Sequence, residues 1–285
     1  MSETNKTIHW FPGHMAKANR EMKEQINSVD LIIEVRDARI PFSSANPDLD
    51  KLAPGKPRII LLNKDDKADP KMTEAWEKAL VRENTIVIAV NALNENIKNT
   101  VYKAAKELAK PRIERQIRKG MKPTPIKAMV VGIPNAGKST VINSISRKKI
   151  AVTADHPGVT KKVTWIKAAE DFYLLDTPGV LWPKIDDSSV GLRLAITGAI
   201  RDEVLPLDEI VSFAVSYLLE NHKEDFLERY SIEEPDGYED AIRKIGTSKG
   251  FLSQGGTVDE LRVKKNLIKD IRTEKIGRIT WEKPQ

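Results

Sequence analysis

The sequence predicts an α/β fold, a three-layer domain on a mostly parallel sheet, followed by a mainly helical C-terminal domain. Three observations carry that expectation. Short apolar runs rich in branched residues recur as far as residue 175, helical stripes separate them, and the strand signal fades beyond Gly179. The chain has 285 residues, 40% of them hydrophobic and 31% charged, enough for one large or two modest domains with a real core.

Taken in order, the runs 31–35, 59–62, 86–90, 128–131 and 172–175 read as buried parallel strands. Between the second and third, Asp69 precedes Pro70 at a helix start, and Met72, Ala75, Trp76, Ala79 and Leu80 form one apolar face. Ile97, Val101, Ala104, Ala105 and Leu108 trace the next helix. The basic stretch 110–125, closed by Pro123 and Pro125, reads as an internal connector. Further on, Leu207, Ile210, Val211, Ala214, Tyr217 and Leu218 form a helical stripe, and Val258, Leu261, Leu267, Ile268 and Ile271 a looser one. The expected division is 1–184 for the α/β domain and 185–285 for the helical one.

Composition removes several chemistries. With no cysteine, the chain has no disulfide, no thiolate-bound zinc or iron–sulfur cluster and no cysteine nucleophile. No stretch approaches the ~18 apolar residues of a membrane span, and residues 1–13 lack the apolar centre of a signal peptide. The expectation is a cytoplasmic protein with no membrane partner. The net charge of +6 is unevenly spread. Residues 103–127 hold nine basic and two acidic side chains, 262–283 eight and three, and 202–240 only two basic against thirteen acidic. Such basic blocks suit a polyanion, because Lys and Arg release counterions from phosphates. Lys264, Lys265 and Lys269 are the expected contacts in the second block.

The chemistry is carried by three motifs. Gly132-Ile-Pro-Asn-Ala-Gly-Lys138-Ser139 matches GxxxxGK(S/T) after one predicted strand and before a helical pattern through Val141, Ile142 and Ile145. The glycines let backbone N–H groups converge on phosphate oxygens at a helix N-terminus. Asn135, Ala136, Gly137, Lys138, Ser139 and Thr140 are the expected phosphate-side contacts, with Lys138 on the β- and γ-phosphates and the Ser139 hydroxyl on Mg²⁺. Asn63-Lys64-Asp65-Asp66 fits NKxD directly after a strand. The Asp66 carboxylate can accept from the N1–H and 2-amino group of guanine, which adenine does not offer. Asn63 can bond the base and tie loops together, and the Lys64 stem can cover the ring. DxxG occurs as 155–158 and as Asp176-Thr-Pro-Gly179; the second ends an apolar run, so Asp176 is the expected carboxylate on the Mg²⁺ side, acting through water, and Gly179 a GTP contact. Thr160 lies between and is the candidate second hydroxyl ligand of Mg²⁺.

Motif order is the most informative feature. Ordinary GTPases run P-loop, DxxG, NKxD; here NKxD comes first, at 63–66, ahead of 132–139 and 176–179. Joining the ordinary termini and cutting after DxxG reproduces this order with the site intact. Asn91 and Ala92, after the 86–90 run, then take the place of the guanine-contacting loop that normally closes the domain. The fold class is therefore a circularly permuted P-loop GTPase domain followed by a helical domain.

Several segments sharpen this into a likeness. Trp10-Phe-Pro-Gly-His14-Met-Ala-Lys17-Ala, Asp37-Ala-Arg-Ile-Pro41, NKDD, GIPNAGKS, DTPGVLWPK and Asp270-Ile-Arg-Thr-Glu-Lys275 together resemble the YlqF family of circularly permuted GTPases, over residues 9–284. The resemblance implies a bacterial assembly factor that binds GTP and GDP, associates with a late precursor of the large ribosomal subunit through rRNA and ribosomal proteins, and hydrolyses GTP when the particle stimulates it. We expect a monomer.

Val180 follows Gly179 where many GTPases place a water-orienting glutamine, so the attacking water needs a partner from elsewhere. The resemblance implies a histidine from the N-terminal segment, and His14 matches that motif residue; an imidazole can orient water or accept a proton near neutral pH. The resemblance also makes Asn135 a candidate K⁺ ligand, where a monovalent cation would neutralise transition-state charge. Two other classes are weighed against this reading. An RNA-modifying enzyme lacks support, because the C-terminal half has no paired catalytic groups; a non-hydrolysing scaffold would not need Lys138, Ser139, Thr160 and Asp176 together.

Overall fold

The structure, a computed structural model, describes residues 20, 22–146, 164–179, 187–201 and 204–284. Six strands form one sheet: β1 Leu31–Asp37, β2 Arg58–Asn63, β3 Thr85–Val90, β4 Ile126–Gly132, β5 Thr164–Ala169 and β6 Phe172–Asp176. Their order is β3-β2-β1-β4-β6-β5, parallel throughout except where β5 meets β6. Each predicted run lies inside one of these strands. Every residue of β1 is buried, as a central strand covered on both faces requires. β5 is the strand that hydrophobicity did not announce. It is an antiparallel edge with only Ile166 and Ala168 buried, so it reads as alternation rather than as an apolar run.

Helices fill the crossovers. α1 is a short turn, Leu49–Leu52; α2 spans Pro70–Leu80, α3 Lys98–Arg118 and α4 Lys138–Ser146. α2 starts as its sequence dictates. The Asp69 carboxylate accepts from the N–H groups of Lys71 at 2.7 Å and Met72 at 3.0 Å, and Pro70 takes the first position, where no donor is needed.

α3 corrects one expectation. Residues 110–118 are not a connector; the helix runs through Pro111 to Arg118. An interior proline costs about 3 kcal/mol in helix propensity, and contacts just beyond it offset the loss. Arg112 donates to the Thr124 hydroxyl at 2.6 Å and its carbonyl at 3.1 Å, and Gln116 exchanges hydrogen bonds with Thr124 at 3.0 and 3.2 Å. The proline-closed segment folds back and braces the helix that its composition seemed to end.

The C-terminal part is helical: α5 Ser188–Ile196, α6 Leu207–Asn221, α7 Lys223–Tyr230, α8 Gly237–Ser248 and α9 Glu260–Arg272. One core joins it to the sheet, since Leu31, Ile33 and Val130 belong to the same buried cluster as Leu194, Val211, Leu218 and Leu267. The α9 stripe is set differently from its prediction: Leu261 is 55% exposed, and Val263 is fully buried. Lys264 is also not a free cation. It meets Asp208 at 2.6 Å and Glu260 at 2.8 Å, and those oxygens hold its ammonium above the usual range against the effect of burial. Lys265 and Lys269 are exposed. The 184/185 division falls outside the described residues. Among the described residues, no helix is long and apolar enough to cross a membrane.

Candidate nucleotide-binding site

The phosphate side grows out of β4. The chain leaves Gly132, turns through 133–137 and enters α4 at Lys138. Glycine is needed twice for space. A Cβ on Gly132 would lie 2.7 Å from the Val35 carbonyl oxygen, and one on Gly137, at φ +92°, would lie 2.2 Å from the Asn63 amide nitrogen. Strand β6 delivers the DxxG element beside this loop, with Asp176 in register with Val130. Lys138 Nζ sits 2.7 Å from Asp176 Oδ1, both side chains 6% exposed, so the residues assigned to phosphate and to the metal side touch directly. The Thr177 hydroxyl donates to the Val130 carbonyl at 2.7 Å, and a Cβ on Gly179 would press on Pro134 at 3.3 Å. Ser139 and Thr140 occupy the first turn of α4, half-buried. A hydroxyl at Ser139 and a carboxylate at Asp176 make a hard-oxygen donor set, which fits Mg²⁺, a cation that keeps waters and substrate phosphates as its other ligands. His14, Thr160 and Val180 lie outside the described residues.

The base side is assembled at the carboxyl ends of β2 and β3. Asn63 is buried and bridges: its amide donates to the Ala136 carbonyl at 2.8 Å, and its Oδ1 accepts from Ala92 N–H at 3.2 Å. Three segments far apart in sequence therefore meet at one side chain. Lys64, at φ 62°, turns its ammonium to the Asn135 carbonyl at 2.6 Å and to Asp37 Oδ2 at 2.9 Å. Burial lowers its affinity for the proton, and Asp37 opposes that effect. Asp66 is exposed in the turn Asp65–Lys67, the placement a base-reading carboxylate needs. Asn91 is buried and its Oδ1 accepts from Asn94 N–H at 3.2 Å, so its side chain shapes the loop that presents Ala92.

Residues 127–230 match the model of a family described as 50S ribosome-binding GTPase. Ribosome biogenesis GTPase A of Bacillus licheniformis is 45% identical over 279 residues, covering 98% of this chain and 99% of that protein; the Bacillus pumilus protein of the same name is 43% identical over 280. The chain belongs to the ribosome biogenesis GTPase A family. Among solved structures it is similar to YlqF from T. maritima bound to GNP, at 26% identity and a TM-score of 0.65, covering 94% of this chain and 99% of that one. The GDP-bound form gives 25% and 0.66. This protein is a circularly permuted GTPase that hydrolyses GTP and takes part in ribosome biogenesis.

Two parts of this GTPase's site were not anticipated. The first is Asp37 and Arg39. The segment 37–41 is part of the family likeness, yet its residue types alone imply no role. Asp37 accepts from Arg39 Nε at 2.9 Å, from its terminal nitrogen at 2.8 Å and from Lys64. Burial by itself would raise the Asp37 carboxyl, but the guanidinium and ammonium beside it hold it well below the usual carboxylate range. Arg39 also donates to the Thr197 carbonyl at 3.1 Å, and the Asn135 amide donates to the Gly198 carbonyl at 2.8 Å. A closed ring results, running Lys64–Asp37–Arg39–Thr197–Gly198–Asn135 and back to Lys64. Arg272 of α9 donates to the preceding Ala195 and Ile196 carbonyls at 2.8 and 3.2 Å. Side chains from three directions thus face the C-terminal end of α5, where carbonyls lack helical partners. The second part is the chain's last stretch, 274–282, which returns to lie along the 39–43 and 65–69 segments.

Proposed function

We propose that this GTPase binds a late precursor of the large ribosomal subunit in its GTP state and leaves after hydrolysis that the particle stimulates. The observation that carries the proposal is the hydrogen bond from Asn135 in the P-loop to Gly198 in the helical part. A rearrangement of the loop that holds phosphates bears directly on the helices that would face the particle. The permutation adds to this, because the DxxG segment directly precedes the helical part in sequence. We assign 1–184 to the GTPase domain and 185–285 to ribosome binding, with the exposed Lys265 and Lys269 as rRNA contacts, and we place the protein in the cytoplasm as a monomer.

Lys138 orients the β- and γ-phosphates, Asp66 and Asn63 select guanine, and backbone N–H groups of 135–140 cradle the phosphate oxygens. Ser139 and Thr160 would hold Mg²⁺ with Asp176 acting through water; when bound, the ion neutralises charge on the transferring group. The Asn135 amide nitrogen is committed to Gly198, which leaves its Oδ1 as the proposed K⁺ donor. His14 orients the attacking water, since Val180 cannot.

Replacing His14 by Ala tests the reading. Particle-stimulated turnover should fall by roughly 10²–10⁴-fold, the range for a positioned acid–base group, with GTP affinity changed no more than a few-fold. The variant should also persist on purified large-subunit precursors. Single-turnover hydrolysis with those particles checks both, and wild-type stimulated rates would remove His14 from the mechanism.

A further inference from the structure

We infer that the C-terminal strap, residues 274–282, and Arg278 in particular, positions Asp66 for guanine recognition; this rests on Asp66 being the residue that reads the base. Asp66 is the middle residue of a three-residue 3₁₀ turn entered from Lys64 in the left-handed region. So short a turn, closed by Lys67 N–H on the Lys64 carbonyl and Ala68 N–H on the Asp65 carbonyl, has little stability of its own. The strap adds hydrogen bonds on both sides of Asp66. Arg278 donates to the Asp65 carbonyl and, at 2.8 Å, to the Ala68 carbonyl; Ile279 N–H donates to the Lys67 carbonyl at 3.2 Å. The Thr280 hydroxyl accepts from Asp69 N–H at 3.1 Å, and Glu274 meets Lys67 at 2.6 Å.

The strap is itself anchored. Trp281 is 1% exposed, and its backbone N–H donates to the Arg39 carbonyl at 2.8 Å. Glu282 accepts from the Phe42 N–H and from the N–H and hydroxyl of Ser43, and Tyr217 of α6 donates to the Thr280 carbonyl at 2.6 Å. The loop that carries Asp66 is thereby clamped to the helical part by residues more than 200 positions away in sequence. Two parallel hydrogen bonds to the N1–H and 2-amino group are strict in geometry, so a loosened turn should cost base selectivity before anything else.

Binding of GDP and inosine diphosphate, which lacks the 2-amino group, should be measured on the full chain as wild type, Arg278→Ala, Arg278→Lys, Thr280→Val and Asp66→Asn. Arg278 is exposed, so its truncation removes nothing from the core. We expect Arg278→Ala to weaken GDP about tenfold and inosine diphosphate less, narrowing their ratio by about threefold or more. The loss should appear in KM for GTP rather than in kcat. Thr280→Val should move the ratio the same way, and Arg278→Lys should recover part of it. An Arg278→Ala protein whose GDP affinity and GDP-to-inosine ratio both stay within twofold of wild type overturns the proposal. The Asp66→Asn arm separates the two layers. If that variant exchanges GDP for xanthosine diphosphate while the strap variants stay at wild type, the strap alone is overturned; if it keeps its preference for GDP, both fall.

Discussion

On the candidate phosphate side of the site, the residues come from one unbroken run, Gly132 to Ser139, with Asp176 delivered by the neighbouring parallel strand. On the base side, the segment around Asp66 is held by contacts among Asn63, Asp37 and Arg39, the 91–92 loop, the end of α5 and the C-terminal strap. The first is local backbone geometry, set by glycine and a helix start. The second is a convergence of distant segments, each supplying one or two hydrogen bonds. A local device can be transplanted by permutation without change, whereas a convergent one ties the base loop to whatever else the chain ends pack against. In this chain the stretch 274–282 packs against the loop that carries Asp66.

The largest effect that could break this contrast lies on the phosphate side. Lys138 and Asp176 form a buried pair, so replacing Lys138 by Met leaves a carboxylate buried without its partner. We predict a loss of about 3–5 kcal/mol of unfolding free energy, the usual result of breaking such a pair from one side. Adding Asp176→Asn should restore a good part of it, because the stranded charge is then gone. Urea denaturation of the nucleotide-free proteins supplies the double-mutant cycle. Strictly additive single losses would mean that the pair does not couple and that the phosphate side is not locally self-sufficient.

The same contrast explains what the sequence disclosed. The P-loop, NKxD and DxxG segments were legible because each is a short pattern at the end of a strand, and the five buried strands were legible because parallel strands covered on both faces are continuous apolar runs. β5 was not, since an edge strand with Lys167 on one face and Ile166 on the other carries too little signal in six residues. The helix through Pro111 reads as a connector in sequence because composition does not show that Thr124 folds back to Arg112 and Gln116. Arg39 and Arg278 were invisible as site residues for a related reason. Beyond its pairing with Asp37, Arg39 donates to the Thr197 carbonyl, and Arg278 donates to the Asp65 and Ala68 carbonyls; backbone carbonyls leave no mark in residue type.

Asn63 is where the two sides meet, and it should show an intermediate effect. Its amide reaches the P-loop at Ala136 and its oxygen reaches Ala92. Truncation to Ala leaves a carbonyl and an N–H without partners inside the protein, at roughly 1–3 kcal/mol each. GTP and GDP affinity should both fall by about 10–100-fold, and by the same factor, because the side chain touches loops common to both states. Equilibrium titration of each nucleotide checks this. A loss confined to GTP would instead make Asn63 a γ-phosphate sensor and dissolve the distinction between the two sides at that residue.

The smallest effect should come from Arg39→Lys, which sharpens the comparison by keeping a positive charge on Asp37 while removing the fork that also reaches Thr197. A hydrogen bond from a charged donor is worth about 1.5–3 kcal/mol, so unfolding at pH 7 should be easier by about that amount. The pH dependence distinguishes this from a general loosening. The Asp37 carboxyl is held below its ordinary value in the folded protein. Its contribution is therefore fully present above the unfolded value, about 3.9, and is lost as pH falls through the folded one. A lysine grips the carboxylate less tightly, which should raise the folded value toward the ordinary range and shrink that contribution. Denaturation curves for the two proteins should thus differ most near neutrality and converge as the solution is made acid, with the acid limb of the variant set at higher pH. Curves that stay parallel through the acid range would place the loss at the Thr197 carbonyl alone, leaving the Asp37 charge network untouched by the change.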